Sequence, residues 1–136
     1  DFKFKILPVS LGNQNHLNAK AVARNVFNTT KELNKKVLFI ASTDFSHHVS
    51  PAKAERDDKQ ALEKILANDA AGLIKTVKKQ GISMCGYGPT AALMEFANYI
   101  NFQSKTQLLR YGNSGEVIPS DSVVAYASVL FYEERA

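Results

Sequence analysis

The stretch Val37 to Thr43, within "KKVLFIASTDFSHH", limits the fold more than any other. Its unbroken apolar core, "VLFIA", shows no alternation and is too short for a helix of its own, which is the pattern of a strand covered on both faces. Strands of that kind belong to α/β domains, where helices pack on either side of a sheet. The flanking sequence agrees. Asn15 to Asn34 carries Ala19, Val22, Ala23, Val26, Phe27 and Leu33 near helical spacing, so an amphipathic helix is expected there. A first strand is expected at Phe4 to Gly12, with Pro8 marking an edge or a bulge. Ser50-Pro51 supply an N-cap and a proline at the first helical position for a helix reaching about Ala67. Asp69 caps a shorter helix that stops at Gly81, and Pro89 opens another that runs through Ile100. Thr106 to Tyr111 and Val123 to Tyr132 read as strands. The second alternates poorly and is therefore placed at the centre of the sheet, with the polar loop Tyr111 to Ser122 between the two. The order strand–helix–strand–helices–strand–strand predicts an α/β fold with a mixed sheet and helices on both faces.

Length and composition narrow the function classes. The chain of 136 residues is read as a single domain over 1–136. A net charge of +4, from 17 basic and 13 acidic residues, is spread over helical lysines such as Lys31, Lys35, Lys75 and Lys78. No arginine-rich or aromatic-interleaved stripe marks a nucleic-acid footprint, so no nucleic acid is expected as a partner. No apolar run approaches the ~20 residues of a membrane span, so no membrane partner is expected either. The lone cysteine, Cys85, rules out a disulfide within the chain and suits a reducing, cytoplasmic setting.

Two places gather residues with chemistry. "STDFSHH" (Ser42 to His48) follows the apolar strand, and in open α/β sheets ligands bind beyond the carboxyl ends of strands. Histidine there can act as general base, general acid or metal ligand, and a carboxylate three residues away, Asp44, can orient an imidazole. Adjacent side chains point apart, so only one of His47 and His48 is expected to face a shared pocket. The bland alternative is a polar turn with both rings in water. The second place is Cys85 in "SMCGYGP". Thiolate is the form that binds metal or attacks, and a helix N-terminus, here expected after Pro89, stabilises negative charge. The alternative for Cys85 is a small buried hydrophobe. "GYGPTA" fits a dinucleotide pattern but follows no strand, and "GNSGE" falls one residue short of a nucleophile elbow; both are set aside.

Four motifs in register, "STDFSHH", "ISMCGYGPTAAL", "LLRYGNSGEV" and "DSVVAYASV", resemble the Memo family, also called AmmeMemoRadiSam system protein B, over about Phe4 to Tyr132. The resemblance implies a fold similar to the LigB-like class III extradiol dioxygenases. It implies that Cys85 is a metal ligand beside two histidines of a preceding half, so that this chain is the C-terminal half of a longer protein. It implies that His47 and Asp44 are catalytic, with His47 as acid/base. Ala125 departs from the family pattern, where glycine is common. The expected function is that of a dioxygenase-related metalloprotein, with non-haem iron or copper as cofactor in the complete protein and none held by this chain alone, which is then inactive by itself. The substrate is a small molecule or peptide of unknown identity. Radical-SAM and AMMECR-type proteins are implied as partners by the system's name. The rival reading is a non-catalytic peptide or protein interaction module. On the first reading, Asp44, His47 and Cys85 must converge.

Overall fold

The computed structural model describes residues 3–100 and 105–133. Its elements, in chain order, are α1 (His16–Glu32), β1 (His47–Val49), α2 (Pro51–Leu66), α3 (Ala70–Gln80), α4 (Tyr87–Ile100), β2 (Lys105–Asn113), a 3-10 turn (Ser114–Glu116) and β3 (Val123–Tyr132). The helix limits follow from local chemistry. Asn15, Ser50 and Asp69 each turn a side-chain oxygen onto a backbone N–H of the first turn of α1, α2 and α3, satisfying a donor that the helix leaves unpaired. Gly81 ends α3 at φ 63, a left-handed conformation that costs glycine least. α4 begins at Tyr87, two residues before Pro89.

The α/β class holds, and β3 is central, in the order β1-β3-β2. Both pairings are antiparallel. The core lies between this small sheet and the helices, with Phe45, Val123 and Ala125 meeting Ile65 of α2, Leu73 of α3 and Met94 of α4. α1 lies against α4, where Phe27 stacks on Tyr99 at 5.5 Å and His16 Nε2 meets Glu95 Oε1 at 2.5 Å.

Two expected strands differ. Phe4 to Gly12 and Val37 to Thr43 form no β-ladder among the described residues, and so the sheet is antiparallel rather than mixed. The second segment is covered on one face only: Phe39 packs on Phe96 of α4 at 5.2 Å, while Leu38 and Ile40 are 82% and 73% exposed. The first segment leaves Ile6 and Leu7 at 79% and 84% exposure. An apolar run reports a tendency to be buried; a ladder also needs a neighbouring strand, and β3 is already paired on both sides by β1 and β2. β1 was not anticipated. It lies inside the stretch expected to be a loop.

Candidate functional site

The site is built where β1's approach to β3 meets the turn that opens α4. Phe45 donates its N–H to the carbonyl of Ala125 at 2.8 Å, and Ala125 returns its own N–H to the carbonyl of Ser46 at 2.9 Å. "STDFSHH" is thus an extended arm along β3, not a free turn. Ala125 is fully buried, and its methyl group is accommodated there. The pairing then slips: His47 faces Val124 and Val49 faces Val123, with His48 between them at φ 56. Such a bulge re-aims the side chains around it. His48 is exposed and His47 half-buried, with their rings 6.2 Å apart.

The turn before α4 is stitched to this arm. The Cys85 N–H donates to the carbonyl of Asp44 at 3.3 Å. The Asp44 N–H donates to Cys85 Sγ at 3.2 Å, and the Gly86 N–H to Thr43 Oγ1 at 2.8 Å. Gly86 is required by this closeness, because a Cβ there would stand 2.5 Å from the Cβ of Thr43 and 2.9 Å from the carbonyl oxygen of Ser42. From the other side, Gln14 donates to the carbonyl of Cys85 at 2.9 Å and accepts from the Gly88 N–H at 2.7 Å, so that the loop before α1 caps the start of α4.

These contacts bring Asp44, His47 and Cys85 together: one ligand atom from each lies within 4.8 Å of the others. Cys85 is exposed, not a buried hydrophobe. Asp44 lies 3.5 Å from His47, between its Oδ2 and Nε2. The bond that orients the ring comes from elsewhere. His47 Nδ1 lies 2.8 Å from the carbonyl oxygen of Ser83, and the His47 N–H donates to the Ser83 hydroxyl at 2.7 Å. A carbonyl only accepts, so Nδ1 carries the proton and the lone pair of a neutral ring sits on Nε2, facing Asp44 and Cys85. Asp44, expected to orient the ring, is therefore on its reactive side. Three electron-pair donors face one small region, an arrangement that calls for a proton or a cation between them.

Sequence reasoning missed Gln14, Ser83 and the groups beneath the arm. Asp58, fully buried in α2, accepts the Ser46 hydroxyl at 2.7 Å and the Tyr111 hydroxyl at 2.8 Å. Burial pushes the Asp58 carboxyl above its ordinary range, against the opposing pull of these bonds. Burial and the neighbouring Asp58 push the Tyr111 hydroxyl up as well. Nothing in the local pattern could have announced these partners. Among the described residues no helix is long and apolar enough to cross a membrane.

Comparison with known proteins gives the family. The family model "Memo-like protein" matches residues 1–130. A MEMO1 family protein of Methanococcoides burtonii is 38% identical over 127 residues, covering 93% of this chain and 48% of its own length. One of Methanopyrus kandleri is 36% identical over 129 residues, covering 94% of this chain and 45% of its own length. A third, of Methanosarcina barkeri, is 35% identical over 131 residues, covering 96% and 49%. The chain spans about half the length of the curated relatives it matches. With its motifs, its α/β architecture and this match over nearly every residue, the chain belongs to the Memo-like family.

Proposed function

We propose that Cys85 is a ligand of a transition-metal centre, with His47 and Asp44 beside it as acid/base and partner carboxylate, and that the protein is a dioxygenase-related redox protein of its family. The convergence of three electron-pair donors, with the imidazole turned so that its free nitrogen joins them, carries this reading. Thiolate and imidazole suit iron, copper or zinc, whereas magnesium and calcium prefer all-oxygen sites.

In this reading the chain is the C-terminal half of the family fold. The remaining ligands come from the half that its relatives have and these residues do not span. Iron or copper, when bound, supplies one-electron chemistry toward dioxygen. Cys85 holds the ion, His47 Nε2 takes or returns a proton at a molecule placed beside it, and Asp44 balances the charge of the protonated ring. The setting is cytoplasmic and the substrate a small molecule or peptide; radical-SAM and AMMECR-type proteins are the system partners. The exposed apolar segments around Leu7 and Leu38 favour a second reading, a module whose task is to bind another polypeptide.

Metal content and oxygen uptake of the protein at its natural full length separate the two. Cys85→Ser is expected to lose metal first, with activity following. His47→Ala is expected to keep the metal and lose a factor of about 10² to 10⁴ in oxidation, the usual weight of a general acid or base. A metal-free wild-type protein that takes up no oxygen gives the ground to the interaction reading.

A further inference from the structure

Asp58 is a costly residue to place where it is. A buried carboxylate is tolerated only when hydrogen bonds replace its lost water, and Asp58 collects them from two directions. The Ser46 N–H lies 3.1 Å from Oδ1 and 3.3 Å from Oδ2, and the Ser46 hydroxyl lies 2.7 Å from Oδ1. The Tyr111 hydroxyl, from β2, donates to Oδ2 at 2.8 Å. Two of the three donors belong to the residue immediately before His47. The Ser46 carbonyl is taken on the other side by the Ala125 N–H, so the backbone entering His47 is held from both edges. Asp58 acts there as a neighbouring strand would, accepting the N–H that points away from β3.

We propose that Asp58 is a positioning residue for His47: through Ser46 it holds the backbone at which His47 reaches Ser83 with Nδ1–H and presents Nε2 to Asp44 and Cys85. The chemical meaning of that position rests on the metal-centre reading; the position itself does not. If the clamp on Ser46 is released, the 2.7 Å and 2.8 Å bonds from His47 to Ser83 lose their fixed approach. The ring is then free to exchange its proton between the two nitrogens.

The test reads the imidazole directly. The protein at its natural full length, metal-free and labelled with ¹⁵N-histidine, is studied by long-range ¹H–¹⁵N correlation at about pH 8.5, well above the ordinary imidazole pKa of ~6.5. Wild-type His47 is expected as a single Nδ1–H tautomer. Asp58→Ala is expected to give a mixture at His47, with the exposed His48 unchanged as internal control. Asp58→Asn, which keeps one accepting oxygen, is expected to restore most of the single tautomer. Cobalt(II) is then titrated into the same proteins, and its affinity is expected to be the same in Asp58→Ala as in wild type, because Cys85 and not His47 holds the ion. Should Asp58→Ala not fold, Ser46→Ala and Tyr111→Phe each remove one donor and carry both readouts, with Ser46→Ala expected to have the larger effect. A tautomer that changes in the variants while the wild type binds no cobalt upholds the positioning role and removes the metal centre. An Nε2–H tautomer in the wild type, or a His47 signal indifferent to every substitution, overturns the proposal.

Discussion

His48 sits one residue from the proposed acid/base and is held in a conformation that costs an L-residue about 1–2 kcal/mol. Its φ of 56 is the bulge that lets His47 and Val49 keep their places on β3. Strain of this kind persists where the surroundings over-determine it. His48→Gly is therefore expected to leave stability within about 1 kcal/mol of wild type, relief of strain being offset by the entropy of glycine. His48→Val, a β-branched residue in the same conformation, is expected to cost about 2 kcal/mol or more. Denaturant midpoints of the two variants measure this. Neither substitution is expected to reduce metal content or oxidation, because the His48 side chain is not among the three that converge; a His48→Gly protein that keeps its metal and loses oxidation would mean that the wrong imidazole has been singled out. At this scale the sequence was informative about types and silent about partners. Asp44, His47 and Cys85 could be singled out because few side chains carry such lone pairs and because they follow an apolar run and precede a helix start. Ser83, Asp58 and Gln14 could not, since their bonds to His47, Ser46 and Cys85 cross 36, 12 and 71 residues, and no local pattern encodes a contact across such a distance.

Among the elements, the arm of Thr43 to His47 and the turn that opens α4 approach so closely that only hydrogen fits on Gly86. Gly86→Ala places a methyl group 2.5 Å from the Cβ of Thr43. Overpacking of this kind typically costs about 1–3 kcal/mol, and here the strain is relieved by parting the segments that carry Asp44 and Cys85. Both thermal stability and metal affinity are expected to fall together, measured by melting and by cobalt(II) titration. α2 contributes a pH dependence through Asp58. Its carboxyl is raised above the usual 3.8, with burial as the leading cause, so the folded protein holds that proton more tightly than the unfolded chain. The stability this group contributes is complete below the unfolded value of 3.8 and is lost as pH rises through the raised folded value. Asp58→Asn cannot titrate, so its stability relative to wild type is expected to improve as pH climbs from about 3.5 to neutrality; urea midpoints at both ends check the sign. The helices were legible because their limits are written in caps, Ser50, Asp69 and Gly81 among them. β1 was not, because three residues forming a ladder around a bulge leave no period to detect.

For the molecule as a whole, the apolar runs of Phe4 to Gly12 and Val37 to Thr43 are where expectation and structure part: neither forms a ladder among the described residues, and most of their large side chains are exposed. Ile6, Leu7, Leu38 and Ile40 are all more than 70% exposed, and long apolar edges of that sort invite pairing with other chains. The 136 residues are expected to self-associate through these segments; light scattering over a concentration series measures it. One further consequence follows from the exposed Cys85, the sole thiol among these 136 residues. A molecule with one accessible sulfur can be oxidised to a disulfide-linked pair but to no larger covalent species. A non-reducing gel of the air-oxidised chain therefore counts open centres directly: bands at one and two chain masses and nothing above, with the doubled band fading as a bound ion or a covering partner shields the sulfur.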